Sequence, residues 1–426
     1  TWILTAIRHP HCSNIITYIY RWYYRNVVKT DTKYRHEQNA LIMLNALRRV
    51  ISVFSGPFMT AYLIRATSNN LASTSLYYIM SYFVMGICFI VVAKLFKHSP
   101  KINLLRFGVI LNFAYVLSII ILRDSVAEHI PILAIIYGIA TSCYWLPYIT
   151  FTADKVSNKE QTDYAVNLRN TTCIVETVIP LVLGGIITVT NFYIASIVIL
   201  LVSILQLICS FRLTPDTNAR QTAPFQLTSV WRRLIKNRHS RSCLLSELFI
   251  GASVSNSALG TIMTVYIVYS FHTDFALGLI TSLTTIVSVV LSRLYRHCHG
   301  KNNTIAILLA SLISMLAVFV MVFIGGDTTV IVGNLLYTAL TNILLIAREV
   351  CVYNTARSSV VGKSRQTEFI AIRECAIELG RVFSYSLLLV ASLIGGTAVL
   401  NVTIVILTLA IPTAGIAYIN VAKCRK

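Results

Sequence analysis

The sequence predicts an all-α integral membrane protein with twelve transmembrane helices in two pseudo-symmetric six-helix bundles. Hydrophobic residues make up 56% of the 426-residue chain and charged residues only 12%, a composition that does not suit a water-facing globular surface. About a dozen apolar stretches, each long enough to cross a bilayer of about 30 Å, follow one another from Ile42 onward. Short motifs of the first half also recur in the second half.

The internal repeat is visible in pairs of motifs about 200 positions apart, which is typical of a duplicated unit. The pairs are Met59–Leu63 with Met263–Ile267, Lys94–His98 with Arg293–His297, and Gln161–Tyr164 with Gln366–Phe369. Two parallel repeats of membrane helices are a common design of transporters.

The apolar stretches give the predicted spans and divide the chain into four segments. The predicted spans are 42–66, 72–96, 102–122, 131–153, 167–190, 192–213, 242–270, 275–295, 303–324, 329–351, 369–395 and 398–422. The predicted segments are a basic cytoplasmic N-terminal segment (1–41), a first bundle (42–213), a cytoplasmic linker (214–241), and a second bundle with a short cytoplasmic tail (242–426).

The positions of the basic residues predict the orientation in the membrane. Nearly all of the 36 lysines and arginines fall at one end of the predicted spans, and only Arg65 and Arg123 fall at the other end. Because cytoplasmic loops carry an excess of lysine and arginine, we expect both termini in the cytoplasm and a plasma or inner cell membrane location. This distribution accounts for the net charge of +20, so nucleic-acid binding is not expected.

Two segments lie outside the predicted bundles. Residues 1–40 carry apolar and basic side chains on separate helical arcs, which suits either a helix on the anionic membrane surface or a partly disordered basic tail. The long polar stretch 214–241 is predicted to be a linker with a short amphipathic helix. The first apolar stretch has the length of a full span, so a cleaved signal peptide is not expected.

The eleventh span contains the densest group of ionisable residues, Arg373, Glu374, Glu378 and Arg381. Charged side chains inside a bilayer are costly, and they commonly mark substrate or proton pathways. Glu374, Glu378 and Arg381 share one helical face. We expect Glu378 to take up and release a proton, with Arg381 either setting the pKa of this carboxyl group or holding an anionic solute. A static ion pair between helices is the alternative. Arg373 and Glu374 lie nearer the cytoplasmic end, where a structural or gating role is expected.

Four further charged residues lie within other spans. Glu176 is near the centre of the fifth span, at the position that the repeat pairs with Arg381, so we expect it to face a cavity between the bundles. Pro180 follows it and predicts a local kink. Glu247, Arg348 and Glu349 lie near the inner ends of the seventh and tenth spans, and we expect them to make gating contacts.

The chain resembles the major facilitator superfamily over nearly all of residues 42–422. The resemblance rests on twelve spans in two six-helix repeats, both termini inside, and a long basic loop between the sixth and seventh spans. The loop signature of that superfamily, Gly-x-x-x-Asp-Arg-x-Gly-Arg-Lys, corresponds here to the basic segments Ala93–Lys101 and Ser292–Lys301. The aspartate of the signature is missing from both segments, so its gating role has no candidate here.

The resemblance implies that the first, fourth, seventh and tenth spans line the central path. The fourth span contains Tyr144, Trp145, Pro147 and Tyr148, where the proline is expected to break the helix and the rings can stack on a flat ligand; ordinary core packing is the alternative. The seventh and tenth spans add the polar side chains of Asn256 and Asn342.

Enzyme, metal and cofactor signatures are weak. Gly362-Lys363-Ser364 lacks the leading glycine and the preceding strand of a phosphate-binding loop. His297-Cys298-His299 lies on a short basic loop and is expected to be a solvated turn. The ten cysteines include no Cys-x-x-Cys pair, so neither a disulfide framework nor a zinc site is predicted. We expect no catalysis, no cofactor and no metal.

The sequence therefore predicts a secondary active transporter that moves a small solute by alternating access. Glu378 and Glu176 make protons the expected coupling ion. The alternative is a membrane protein that does not transport, such as a receptor or assembly partner on the same scaffold.

Overall fold

The computed structural model describes most of the chain after its N-terminal segment. The described residues are 32–68, 70–96, 99–155, 161–213, 225–254, 256–297, 303–356, 361 and 365–423. The N-terminal surface helix predicted within 1–40 falls mostly outside these residues. Residues 214–224 of the linker, the loop segment 298–302 and Gly362–Ser364 also lie outside them.

The described residues form helices and connecting turns, and twelve helical segments are long and apolar enough to cross a membrane. This confirms the predicted fold class. The helices, numbered here in chain order, are α1 (Thr32–Val53), α2 (Met59–Ala66), α3 (Leu71–Leu95), α4 (Lys101–Leu122), α5 (Ile130–Lys155), α6 (Gln161–Val189), α7 (Phe192–Ser210), α8 (Leu227–Lys236), α9 (Arg238–Ser253), α10 (Ala258–Phe271), α11 (Asp274–His297), α12 (Asn303–Ile324), α13 (Asp327–Ala356), α14 (Gln366–Ile394) and α15 (Thr397–Lys423).

Two spans are interrupted. The first span consists of α1, a π-helical turn (Phe54–Phe58) and α2, and the seventh consists of α9 and α10. In the first span, Gly56 has φ −95° and ψ −105° and precedes Pro57, which lacks a backbone N–H and cannot continue the helical hydrogen bonds. The carbonyl of Gly56 accepts hydrogen bonds from the backbone N–H of Met59 and, at 3.0 Å, from the hydroxyl of Thr60.

The expected break at Pro147 is not found. Helices α5 and α6 continue through Pro147 and Pro180. A single proline removes one backbone donor, and in a membrane helix neighbouring groups can satisfy the acceptor that is left. The prediction of a broken fourth span was therefore wrong, whereas the local kink at Pro180 stays a prediction.

The helices pack into two six-helix bundles. In the first bundle, α4 and α3 pack on α5, and α1 packs on α6 and α7; in the second, α9 packs on α14 and α15, and α13 packs on α11 and α12. The largest contacts between the bundles are those of α3 with α14 and of α6 with α11, and smaller ones join α2 with α10 and α5 with α14. Each pair combines one helix from each half of the internal repeat, as the pseudo-symmetry requires.

The two ends of the molecule differ in charge and in contact. The basic end carries exposed Lys94, Arg212 and Arg293 together with α8. At the opposite end, here called the closed end, Arg65 of α2 forms a two-point ion pair with Asp274 of α11, at 2.6 and 2.8 Å. Among the described residues, the hydrogen bonds and ring contacts that join the two bundles lie between the closed end and the middle of the spans.

Candidate functional site

A charged and aromatic cluster lies at mid-depth in the first bundle. Arg49 of α1 and Glu176 of α6 form an ion pair at 3.3 Å, and both side chains are partly exposed, at 38% and 30%. The guanidinium of Arg49 also lies 5.5 Å from the ring centroid of Trp145 on α5, within range of a cation–π contact. We call Arg49, Glu176 and Trp145 the first-bundle cluster.

This cluster lies beside the second bundle. The backbone carbonyl of Glu176 accepts a hydrogen bond from Thr285 of α11 at 3.3 Å. Helix α6 therefore lies against the second bundle at the level of Glu176, whose side chain is partly exposed. The sequence identified Glu176 but not Arg49, which lies in the predicted first span and was counted with the basic residues of the adjoining loop.

A second ion pair lies in α14 of the second bundle. Arg381 donates to Glu378 at 2.6 Å, and their side chains are 11% and 2% exposed. The second carboxylate oxygen of Glu378, Oε2, is buried and has no hydrogen-bond partner among the described residues. The i, i+3 spacing explains why these two side chains meet across one turn.

This pair contacts the first bundle directly. The Arg381 guanidinium lies 5.0 Å from the ring centroid of Tyr82 on α3. A Cβ added at Gly86 of α3 would lie 3.4 Å from the Cβ of Glu378, so the glycine allows α3 and α14 to approach closely. The thiol of Cys375 donates to the Gly86 carbonyl at 3.1 Å. The charge state of Glu378 can therefore act on a contact between the bundles.

The structure does not bring the two carboxylates together. Glu176 pairs with Arg49 and Glu378 pairs with Arg381, so the acid and base that the repeat relates each have a partner in their own bundle. The sequence located both acids and the partner of Glu378, but it did not identify Arg49 as the partner of Glu176.

Glu247 is the centre of a buried network within the second bundle. Its carboxylate is fully buried and accepts hydrogen bonds from Arg348 of α13 at 3.0 and 3.1 Å and from Arg373 of α14 at 3.0 Å. Tyr418 of α15 donates to it at 3.4 Å. These contacts join α9, α13, α14 and α15, so we call the four residues the buried staple.

Two further acids lie beside the buried staple. Glu349 is 3.7 Å from Arg348 and 69% exposed, and Glu374 is 3.3 Å from Arg373 and 12% exposed. In this conformation the staple and these acids contact residues of their own bundle, so the gating role of Glu247, Arg348, Glu349, Arg373 and Glu374 stays a prediction.

The aromatic run of the fourth span is mostly packed inside the first bundle. Tyr144 and Tyr148 are buried, and their rings are stacked 5.6 Å apart. Their hydroxyls donate to the carbonyls of Leu44 and Leu41. Only Trp145 of the three predicted rings is partly exposed, which leaves it as the ring that a ligand can reach in this conformation.

The break in the seventh span places Asn256 in the middle of the membrane. Asn256 is exposed and has φ +50°, a left-handed conformation that asparagine adopts more readily than most residues. Groups of neighbouring helices satisfy the interrupted backbone: Tyr337 donates to the Ser253 carbonyl at 2.6 Å, and Tyr385 donates to the Ser257 carbonyl at 3.2 Å. Unwound backbone within a span is typical of binding sites in transporters.

Asn342 lies on the tenth span, where its amide nitrogen donates to the hydroxyl of Ser292 on α11 at 3.3 Å. It is partly buried, so its amide joins two helices of the second bundle. Within the described part of the chain, no group of three or more His, Cys, Asp or Glu side chains is arranged to hold a metal ion.

Sequence reasoning missed a buried cation in the first bundle. Arg48 is 1% exposed and donates to Asn112 at 2.6 Å and to Thr141 at 3.0 Å. Its guanidinium lies 5.4 Å from the ring centroid of Tyr144. The double arginine within the predicted span 42–66 was the available signal, but basic residues near the start of a span also fit its cytoplasmic edge.

Comparison with known proteins decides the family. A sequence model described as the Major Facilitator Superfamily matches residues 40–385. The chain belongs to the Major Facilitator Superfamily. This confirms the resemblance found in the sequence, and it makes the protein a multi-pass membrane transporter by family. The uncharacterized protein YqgE of Bacillus subtilis (strain 168) is a relative with 22% identity over 354 residues, which cover 81% of this chain and 80% of that protein.

Solved structures of superfamily transporters share the fold. A point mutant of the nucleoside transporter NupG matches with a TM-score of 0.67 and 14% identity over 90% of this chain and 99% of that chain. A bacterial homologue of the iron transporter ferroportin in an inward-facing state matches with a TM-score of 0.66 and 13% identity, over 92% of this chain and 98% of that chain. A POT family transporter in complex with 5-aminolevulinic acid matches with a TM-score of 0.65 and 12% identity, over 91% of this chain and 96% of that chain.

Proposed function

We propose that this protein is a secondary active transporter that moves a small solute by alternating access of its two bundles, with protons as the coupling ion. The observation that carries the proposal is the buried pair of Glu378 and Arg381, which lies within a span and contacts the first bundle. A buried carboxylate with one unpartnered oxygen is suited to reversible proton uptake.

The proton-coupling step follows from the charges of this pair. Protonation neutralises Glu378 and weakens its ion pair with Arg381, so the guanidinium over Tyr82 loses its counter-charge. The contact between α3 and α14 then has a different free energy in the protonated and deprotonated states. A group that changes the relative stability of two arrangements shifts the population between them.

The solute site is proposed at mid-depth between the bundles. The first-bundle cluster supplies a cation, a carboxylate and an exposed ring, and the unwound seventh span supplies Asn256. Such a site suits a small molecule with an apolar or flat part and a few polar groups. The similar structures include transporters named for nucleosides and iron, so the fold does not select one solute.

The contacts between the bundles are consistent with a conformation closed at one end. The ion pair of Arg65 with Asp274 and the stacked rings of Tyr78 and Tyr385 join the bundles toward the closed end. With both termini in the cytoplasm, as the basic residues predict, the basic end faces the cytoplasm of a cell-membrane transporter. The opposite conformation then requires the closed-end contacts to separate.

Untargeted mass spectrometry of cells and medium tests this proposal. Cells that express the intact chain are compared with empty-vector cells and with cells that express Glu378→Gln. The matched control is Glu128→Gln, which makes the same change at an exposed acid between the third and fourth spans. We expect a solute that is redistributed by the intact chain and by the control, and by Glu378→Gln at no more than about a tenth of the rate, the usual scale for loss of a proton-transfer group.

Two other outcomes would contradict the proposal, in different parts. Equal redistribution by the intact chain and Glu378→Gln keeps transport but contradicts proton coupling through Glu378. If membrane-inserted chain at normal levels redistributes no solute, the transporter proposal fails and the non-transporting alternative replaces it.

A further inference from the structure

Helix α8 of the linker is fixed to the basic end of the second bundle. Val230 and Leu234 are buried at 1% and 0% exposure. Arg365, which directly precedes α14, donates to the hydroxyl of Ser229 at 2.6 Å, and Glu368 of α14 accepts from the backbone N–H of Gln226 at 3.4 Å. These contacts place α8 at the level where the seventh and eleventh spans begin.

The edge of α8 next to its buried face exposes large apolar side chains. Trp231 is 46% exposed and Ile235 is 40% exposed. They are four residues apart, so they lie on the same side of the helix, one turn from each other. Neither packs into the bundle as Val230 and Leu234 do. Tryptophan is enriched at the boundary between the hydrocarbon and headgroup layers of membranes.

Basic side chains flank this apolar edge. Arg232, Arg233 and Lys236 are exposed, and Arg238 and Arg241 follow at the start of α9, also exposed. Residues 227–241 contain no aspartate or glutamate. Lysine and arginine side chains can place their apolar stems beside an apolar surface while the charge reaches the phosphates.

We propose that α8 binds the headgroup phosphates of anionic phospholipids, with Trp231 and Ile235 inserted among the lipids and Arg232, Arg233 and Lys236 contacting the phosphates. A basic amphipathic helix beside a bilayer is stabilised there by burial of its apolar side chains and by attraction of its basic side chains to anionic lipids. Its contacts hold α8 beside the inner ends of the seventh and eleventh spans, which is the level expected for lipid headgroups. A soluble anion would leave Trp231 and Ile235 in water.

Native mass spectrometry of the purified full-length chain tests this inference. The chain is titrated with phosphatidylglycerol and with phosphatidylcholine, and the retained lipid is counted. The test variant is Arg232→Gln/Arg233→Gln/Lys236→Gln. The matched control is Lys94→Gln/Arg212→Gln/Arg293→Gln, which removes the same charge from exposed positions at the same end. We expect the test variant to bind phosphatidylglycerol at least about tenfold more weakly than the control, since each basic group near an anionic surface contributes roughly fivefold.

A second variant separates lipid from soluble anion. Trp231→Ser/Ile235→Ser keeps every charge, and we expect it to weaken retention of phosphatidylglycerol as well. The inference is overturned by equal losses in the test variant and the control, by absence of a preference for phosphatidylglycerol, or by inorganic phosphate displacing the lipid while the Trp231/Ile235 variant binds normally. No solute flux is measured, so failure here is distinct from failure of the proposed transport.

Discussion

Two buried acids of the second bundle, Glu378 and Glu247, lie in different settings. Glu378 and Arg381 are three residues apart in one helix and lie against the first bundle. Glu247 instead shares its charge with two arginines from other helices of the same bundle. The first setting can couple a proton to bundle movement, whereas the second holds one bundle together.

The buried staple gives a prediction about stability. Glu247→Gln removes the negative charge between Arg348 and Arg373 and leaves two buried cations without their shared counter-ion. Breaking a buried ion pair on one side typically costs about 3–5 kcal/mol. We expect a clearly lower midpoint in thermal unfolding of the detergent-purified chain. Glu349→Gln, at an exposed acid of α13, is expected to leave the midpoint nearly unchanged; equal midpoints for both variants and the intact chain would contradict the staple.

The sequence could predict only part of this chemistry. The spacing of Glu378 and Arg381 within one helix was enough to pair them, because i, i+3 neighbours meet on a helix surface. The partners of Glu247 are more than 100 positions away, so local spacing could not identify them. Arg48 was missed for another reason, since a basic residue near the start of a span also fits the cytoplasmic edge of the membrane.

The helices show how close packing and local interruption coexist. Helices α9 and α14 approach so closely that a Cβ added at Gly380 would meet the carbonyl of Leu248, and one added at Gly251 would meet the carbonyl of Ile377. The same α9 ends at the break before α10. Small residues allow such close approach of membrane helices, and they position the face of α14 that carries Glu378 and Arg381.

The close contact of α9 and α14 gives a prediction at the scale of elements. Gly380→Ala is expected to push these helices apart and to destabilise the protein by about 1–3 kcal/mol, as overpacking does elsewhere. Gly185→Ala is the matched control, because a Cβ added at Gly185 of α6 would contact nothing within 4 Å. Thermal unfolding of both purified variants checks this. A stable Gly380→Ala variant with an unchanged midpoint would show that the contact is not tight.

The number and order of the spans were predictable, but their interruptions were not. Length and hydropathy locate a span because the bilayer sets both. Proline was the local signal for interruptions, but Pro147 and Pro180 lie in continuous helices, whereas Pro57 lies at the interruption of the first span. The break at Asn256 depends on hydroxyls of Tyr337 and Tyr385 from other helices, which a pattern within the seventh span does not contain.

At the scale of the molecule, the two bundles meet mainly through two helix pairs and through the closed end. Arg65 and Asp274 come from positions 209 residues apart and form the ion pair that joins the bundles there. Asp274 is 7% exposed and Arg65 is 44% exposed, so the acid is enclosed while its partner reaches solvent. The duplicated sequence predicted two bundles, but nothing in it specified which end would be closed.

The closed-end ion pair gives a prediction about conformation. Arg65→Gln leaves Asp274 without its partner and is expected to favour the conformation that opens the closed end. Hydroxyl-radical footprinting should then show greater oxidation of Tyr78 and Tyr385. Arg123→Gln is the matched control, because Arg123 is at the same end but donates to Tyr193 of its own bundle at 2.9 Å. Equal oxidation in the two variants would contradict a gating role for Arg65.

The measurement that tests alternating access most directly is solute flux through a chain held closed at this end. Arg65→Cys/Asp274→Cys is reconstituted in vesicles and joined by a short, reducible bifunctional reagent that reacts with thiols. The solute is the one found by mass spectrometry, and each single-cysteine variant controls for the ten native cysteines. We expect solute flux to stop in the joined chain and to return after the cross-link is reduced. Undiminished flux through a fully joined chain would contradict movement of the two bundles about a central site.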